Sequence, residues 1–78
     1  MRVRYKDIII TCDTAVLLEN QRKIIFTTRD SEIYASEFDS WVEAREAHKA
    51  LLISGYIDVH NLVESKYTGL IANAICKD

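Results

Sequence analysis

The 78-residue sequence contains no proline, two glycines and two cysteines. The absence of proline excludes a Pro-rich linker or recognition segment. Gly55 and Gly69 are too few to build the glycine-rich loops that hold phosphates in P-loop or dinucleotide-binding proteins. Cys12 and Cys76 cannot form the disulfide framework of a small secreted domain. We therefore expect free thiols, with a single bridge between the two cysteines as the alternative.

Long hydrophobic runs are also absent. No apolar stretch approaches the roughly 18–20 residues that a membrane span needs, and the first four residues lack the continuous apolar segment of a signal peptide. With 49% apolar and 28% charged residues, the composition is that of an ordinary globular protein. We predict a single cytoplasmic domain over residues 1–78, without a membrane contact and with a thin core.

The front half of the chain has the pattern of antiparallel strands. Residues 3–38 alternate short β-branched and aromatic clusters with polar pairs that suit turns. The predicted strands are centred on residues 8–10, 15–18, 23–28 and 32–38. Asp13 and Thr14 are expected to end the first strand. Asn20 is expected to reverse the chain between the second and third strands, because asparagine tolerates a positive φ.

One helix is well marked. Ser40 and Glu43 have the spacing of a capping box, and Gly55 suits the residue that ends a helix, so the prediction is a helix over about residues 40–54. The helical period predicts one buried side, with Trp41 and the two leucines supplying most of its buried area. That side comprises Trp41, Ala44, Ala47, His48, Leu51 and Leu52, opposite Arg45, Glu46 and Lys49.

The region after Gly55 is less clearly patterned. Residues 56–63 favour a strand, although their apolar residues also fit a helical period, and residues 70–75 suit either a final strand or a short helix. The predicted class is therefore α+β: an antiparallel sheet of about four to five strands, packed on one side by one main helix.

No residue pattern indicates catalysis or a cofactor. The candidate metal ligands do not have ligand spacing, and neither cysteine stands in an electropositive setting at a helix start. Cys12 is interpreted as a buried strand residue and His48 as a helix residue at the border of the sheet. We predict a protein that is not an enzyme and holds no metal or cofactor. The candidate ligands are Cys12, Asp13, His48, His60 and Cys76.

The net charge of −2 conceals an acidic middle. Residues 30–46 contain six acidic side chains and one basic one, whereas residues 1–29 contain three acidic and six basic ones. Asp39, Glu43 and Glu46 are also explained by the helix dipole and by pairing with Lys49. The alternatives are a solvated surface and a partner-binding acidic edge between strand and helix. The candidate partner-binding residues are Asp30, Glu32, Glu37, Glu43 and Glu46, with Tyr34 as an exposed aromatic anchor.

Two other functions are open at this point. Basic side chains in the strand-rich half suggest a nucleic-acid-binding module, although the sequence pI of about 5.6 and the lack of a stacking motif argue against this partner. A homo-oligomer, such as a homodimer, paired through an exposed sheet edge is the third hypothesis. The basic residues are Arg2, Arg4, Lys6, Arg22, Lys23 and Arg29.

The outline resembles that of small phage-encoded accessory proteins, among them anti-CRISPR and other anti-defence inhibitors. The resemblance lies in the size, in the strand-rich front half, and in the segment Glu37-Phe38-Asp39-Ser40-Trp41-Val42-Glu43-Ala44 that opens a single helix. It implies a non-catalytic protein that binds a host nuclease complex and blocks its nucleic-acid-binding or assembly surface. No functional residue is carried over from it.

Overall fold

The computed structural model describes residues 1–65. They form seven strands and one α-helix, which confirms the α+β class. The elements are β1 (Arg2–Tyr5), β2 (Ile8–Thr11), β3 (Thr14–Leu18), a 3₁₀ turn (Glu19–Gln21), β4 (Lys23–Thr27), β5 (Ile33–Glu37), α1 (Trp41–Ser54), β6 (Tyr56–Asp58) and β7 (Val63–Ser65). The expectations for Gly69, for residues 70–75 and for Cys76 lie outside this range.

The strands form two sheets, where the sequence pattern predicts one. The three-stranded sheet has the order β2-β1-β6, and the four-stranded sheet has the order β3-β4-β5-β7. Neighbouring strands are antiparallel except β1 and β6, which are parallel. The predicted strand over residues 56–63 is divided into β6 and the start of β7, which belong to different sheets.

The chain changes sheets at Cys12 and Asp13. The Cys12 amide donates to the Met1 carbonyl, and the Asp13 amide donates to the Thr27 carbonyl, both at 2.8 Å. Asp13 therefore lies at the exit of β2, as predicted, whereas Thr14 already begins β3. A bend between two adjacent residues is enough to send β2 and β3 into separate sheets.

The predicted hairpin between β3 and β4 is present, but its positive φ is at Arg22 and not at Asn20. Arg22 has φ 55°, and its amide caps the 3₁₀ turn by donating to the Glu19 carbonyl at 3.1 Å. Its own carbonyl accepts from the Phe38 amide at 2.8 Å. Asn20 is the middle residue of the 3₁₀ turn, so the chain reverses at Arg22, two residues later than predicted.

The core lies between the two sheets and α1. Its fully buried side chains come from β1 (Val3), β4 (Ile24 and Phe26) and α1 (Leu51). The prediction that Cys12 is buried is confirmed, and burial raises the pKa of its thiol above the ordinary value. The other buried residues of this hydrophobic core are Ile10, Ile57 and Val59.

Both predicted ends of the helix are confirmed. The Ser40 hydroxyl accepts from the Glu43 amide at 3.2 Å, which satisfies one of the free amides of the first turn. Gly55 has φ 76°, a left-handed conformation that favours glycine, and its amide donates to the Leu51 carbonyl at 2.8 Å. Local capping chemistry therefore sets the length of α1.

The prediction of the buried side of α1 was wrong for two residues. Ala44 and Leu51 are fully buried, but Trp41 is 49% exposed and Leu52 is 59% exposed. Because successive helical residues are about 100° apart, a buried direction between Ala44 and Leu51 turns Leu52 away from the core. Trp41 stands at the rim of the domain, beside the 3₁₀ turn.

His48 lies at the border of the sheet, as predicted. Its Nε2 is 2.9 Å from the Ala15 carbonyl, and since a carbonyl can only accept, the ring nitrogen must carry the proton and donate. This hydrogen bond connects α1 to β3, which is an edge strand of the four-stranded sheet. The helix thereby covers part of the outer side of β3, with which no strand within residues 1–65 pairs.

Candidate interaction surfaces

The structure does not bring the predicted acidic residues together along one edge. Glu32 precedes β5 and Glu37 ends it, so about 16 Å of extended chain separates them. Glu43 and Glu46 lie on α1, which packs mainly against β6, β3, β4 and the 3₁₀ turn. Strand β4 lies between β5 and β3. Asp30 lies in the turn between β4 and β5, at the same end as Glu32.

Part of the acidic set does form a cluster around Tyr34. The Tyr34 hydroxyl lies 3.5 Å from Glu32 Oε1, a long hydrogen bond, and Tyr34 is directly opposite Glu64 in the β5–β7 register. Partial burial, followed by the charges of Glu32 and Glu64, raises the pKa of the Tyr34 phenol above its ordinary value. We call Glu32, Tyr34 and Glu64 the acidic cluster.

Tyr34 is not the exposed anchor that the sequence suggested. Its side chain is half-buried and packs against the hydrophobic core, because it shares a sheet face with Phe26, its direct neighbour on β4. The polar hydroxyl reaches the surface while the ring is used in packing.

Glu37 is occupied within the domain. Its carboxylate forms an ion pair with Lys23 at 3.8 Å, and its backbone amide and carbonyl are bound by the Asn61 side chain, both at 2.7 Å. The Asn61 carbonyl also accepts from the Ser36 hydroxyl at 2.7 Å. Asn61 thus continues the pairing of β5 before the start of β7, which is a structural role that no sequence pattern indicated.

A different surface stands out on α1. The solvent side of the helix carries four exposed apolar side chains: Trp41 (49%), Val42 (43%), Leu52 (59%) and Ile53 (75%). Arg45 and Lys49 lie among them and are exposed as well. We call these six residues the α1 outer face.

Trp41 is held in place on this face. The Arg45 guanidinium carbon lies 4.9 Å from the centroid of the indole ring, a cation–π contact. Next to the ring is an open groove of about 440 Å³, lined by Glu19, Asn20, Arg22 and Trp41. The Arg22 guanidinium donates to the Asp39 carbonyl at 3.4 Å, which directs it toward the start of the helix.

Sequence reasoning missed this face, although one signal for it was present. Leu51, Leu52 and Ile53 are consecutive, and three consecutive helical residues span about 200° of the circumference. A helix lying on one side of a sheet cannot bury all three. Such a run indicates that at least one large apolar side chain faces solvent or a partner.

The basic side chains of the front half are distributed over both sheets. Arg2 and Arg4 lie on β1, opposite Tyr56 and Asp58 of β6, and the Arg2 guanidinium lies 6.0 Å from the Tyr56 ring centroid. Lys23 belongs to β4, in the other sheet. The three-stranded sheet therefore carries a small cationic and aromatic group, separate from the other cations.

Comparisons with protein-family models, with curated proteins and with solved structures find no match to this chain. Within residues 1–65, no three His, Cys, Asp or Glu side chains are grouped so that they could hold a metal ion. The same part of the chain contains no helix with the length and hydrophobicity of a membrane span.

Proposed function

We propose that this chain is a small, non-catalytic, cytoplasmic interaction protein that binds a larger protein partner through the α1 outer face. The observation that carries the proposal is the exposure of the four apolar side chains of this face on a helix that fully buries only Ala44 and Leu51. The four side chains form two pairs, Trp41 with Val42 and Leu52 with Ile53, about 15 Å apart along the helix with Arg45 and Lys49 between them. Single exposed apolar residues are ordinary, whereas apolar pairs repeated along one helix face suit a protein-binding site.

The residue types support this role. Tryptophan and arginine are the side chains that most often dominate binding energy at protein interfaces, and here Arg45 stacks on Trp41. Arg45 and Lys49 lie between the apolar side chains of this face, and Arg22 lies beside Trp41. The complementary partner surface is an apolar groove bordered by carboxylates, since opposite charges steer the encounter and set the register.

The acidic residues form a second candidate surface for the same function. Asp30 and the acidic cluster are at the same end of the four-stranded sheet, and this end suits a basic partner surface. Glu43 and Glu46 lie on α1 beside the outer face, where they favour one orientation of a partner over another. Variants at the two surfaces distinguish these sites.

The resemblance in outline to anti-defence proteins implies a specific form of the proposal. In that form the chain is phage-encoded and inhibits a host defence nuclease complex, such as a CRISPR effector, by covering a surface needed for assembly or for nucleic-acid binding. Adding the purified protein to the host complex should then reduce cleavage in proportion to the occupied complex. Full cleavage at saturating protein would contradict this form.

The test is affinity capture of the tagged protein from host lysate after nuclease treatment, read by mass spectrometry. A stoichiometric protein should be recovered with the wild type, and its recovery should fall at least about 100-fold with Trp41→Ala combined with Ile53→Lys. Val16→Lys is the matched control, because Val16 is 43% exposed on β3 and its side chain is on the opposite sheet face from Ala15 and Leu17, which pack against the core.

The outcomes separate the surfaces. Loss of the partner in the α1 variant alone supports the proposal. Loss only with Asp30→Lys, Glu32→Lys and Glu37→Lys together would move the site to the acidic residues. Equal recovery with every variant would overturn both assignments.

A nucleic-acid-binding module is the second candidate function, favoured by the placement of Arg2 and Arg4 beside Tyr56. It predicts affinity for single-stranded DNA or RNA that falls steeply with salt and is lost in the Arg2→Ala, Arg4→Ala double variant. Fluorescence anisotropy with labelled oligonucleotides measures it. Binding that persists in the double variant would exclude this surface.

A further inference from the structure

Strand β2 has one open side. It pairs with β1 on its inner side, and within residues 1–65 no strand pairs with its outer side. Residues 8–11 contain neither proline nor a charged side chain, and Ile8 and Ile9 are 55% and 56% exposed. An apolar edge without these protective features is a template for another strand.

The hydrogen bonds show which backbone groups face outward. The Cys12 amide donates to the Met1 carbonyl at 2.8 Å, and the Met1 amino group donates to the Cys12 carbonyl at 3.3 Å. Because hydrogen-bonded and non-bonded pairs alternate along antiparallel strands, Ile10 also directs its amide and carbonyl toward β1. The amides and carbonyls of Ile9 and Thr11 therefore point out of the sheet.

We propose that two copies of this chain dimerise through their β2 edges, antiparallel and about a two-fold axis. The result is one six-stranded sheet with the order β6-β1-β2-β2-β1-β6. A two-fold axis between antiparallel edge strands is perpendicular to the sheet, so one residue must lie opposite its own copy. Only two registers use the outward groups of Ile9 and Thr11 and keep the apolar strands aligned: one centred on Ile9 and one centred on Ile10.

Charge selects between these registers. Centring on Ile10 brings Asp7, in the turn before β2, toward Asp13 of the second copy, at the bend after β2, twice in the dimer, and like charges brought together in this way destabilise a strand pair. Centring on Ile9 places Asp7 opposite Thr11, whose hydroxyl can donate to the carboxylate. It also places the exposed Ile8 opposite Ile10. The dimer is therefore centred on Ile9.

The first test is sedimentation equilibrium of the full chain over a concentration series. The wild type should have the mass of a dimer, and Ile9→Lys should weaken dimerisation by about 100-fold or more, because it sets two like charges opposite each other at the centre. Ile53→Lys introduces the same charge at a site that is 75% exposed on α1, and it should leave the dimer unchanged. Circular dichroism confirms that both variants are folded.

A monomeric wild type throughout the series would overturn the proposal. The same conclusion would follow if Ile53→Lys dissociated the dimer and Ile9→Lys did not, since this result assigns the contact to α1.

Cysteine cross-linking tests the register independently of stability. In the Ile9-centred dimer the two Ile9 Cα atoms are about 5.5 Å apart, within disulfide range, so Ile9→Cys should form a covalent dimer on mild oxidation. Each Ile8 is opposite Ile10 of the other copy, so the two Ile8 residues are two positions apart along the strands. The distance between their Cα atoms is therefore more than about 7 Å, too long for a disulfide. Ile8→Cys should therefore not cross-link.

Peptide mapping of the oxidised Ile9→Cys variant distinguishes a bridge between the two introduced thiols from bridges through Cys12 or Cys76. The oxidised wild type measures the bridges that these natural cysteines form by themselves. Cross-linking of Ile8→Cys equal to that of Ile9→Cys would overturn the register. The absence of a bridge between the introduced thiols of Ile9→Cys would overturn the β2 contact.

Discussion

The two sides of α1 differ in a way that the sequence does not show. The inner side contributes a small residue, Ala44, and one large one, Leu51, to the core, and it reaches β3 through His48. The outer side carries four large exposed apolar side chains, and it includes the single tryptophan of the chain. Apolar residues on the inner side serve packing, and those on the outer side are available to a partner.

This comparison shows that apolar character and burial are separate properties. Leu51 and Leu52 are the same residue type in adjacent positions, yet one is fully buried and the other is 59% exposed. The difference arises from the position of the helix on the sheets, because the contact with β6, β3 and β4 covers only one direction around the helix axis. Three matched pairs of variants and one double-mutant cycle test this difference between the two sides of α1.

The largest expected effect is at the two leucines. Leu51→Ala should lower the free energy of unfolding by about 3 kcal/mol, because it removes a fully buried side chain and leaves a cavity. Leu52→Ala should change it by less than about 0.5 kcal/mol. Urea denaturation at one protein concentration measures both. Equal losses would show that the two sides of α1 do not differ as described.

The two alanines test the same contrast with added volume. Ala44→Leu should destabilise by about 2 kcal/mol, because Ala44 is fully buried against the sheets and the larger side chain forces its neighbours apart. Ala50→Leu, on the exposed side, should remain within about 0.5 kcal/mol of the wild type. Urea denaturation again measures both. A neutral result for Ala44→Leu would mean that the helix can move away from the sheet without cost.

The two histidines test the connection between α1 and β3. His48→Ala removes the hydrogen bond to the Ala15 carbonyl and should cost about 1 kcal/mol. His60→Ala, at an exposed position, should cost less than about 0.5 kcal/mol. Thermal unfolding of both variants gives the comparison. Equal melting temperatures would show that the His48 hydrogen bond does not stabilise the contact between α1 and β3.

The smallest expected effect is at Trp41. Trp41→Ala should destabilise by only about 0.5 kcal/mol, through loss of the contact with Arg45. A double-mutant cycle with Arg45→Ala, followed by circular dichroism, isolates this contact. A loss of about 3 kcal/mol, the size expected for a buried aromatic side chain, would mean that Trp41 belongs to the core and would withdraw it from the α1 outer face.

Local features of the fold could be predicted well. Ser40 and Gly55 mark the ends of α1 because capping depends on hydrogen bonds within a few residues. The β3–β4 hairpin and the strand β5 follow from alternating apolar residues between polar turns. The burial of Cys12 was also predictable, since it lies among apolar strand residues.

The assembly of these elements was not predictable in the same way. The division into two sheets depends on a bend at Cys12 and Asp13, and the pattern there indicated only the end of a strand. The parallel pairing of β1 with β6 joins residues more than fifty positions apart. Such long-range pairings depend on the whole set of competing contacts, whereas a sequence pattern reports only neighbours.

The candidate sites show the same limit. Charge along the chain identified Glu32, Glu37 and Glu43 as one acidic stretch, but an extended strand separates the first two and the third lies on a different element. Conversely, Glu64 joins Glu32 and Tyr34 only because β7 pairs with β5. Proximity in sequence is a poor guide to surface charge when the intervening chain is a strand, since each residue adds about 3.3 Å.

The class of the domain, the ends of its helix and most of its strands could be predicted from the order of the residues alone. These features depend on hydrogen bonds and side-chain periodicity within a few residues. The packing of the assembled fold determines which leucine of α1 is buried and which acidic residues meet, and it leaves the outer edge of β2 unpaired among the described strands. These outcomes depend on how the helix and the two sheets share a limited core, because burying one side chain excludes another from the same space.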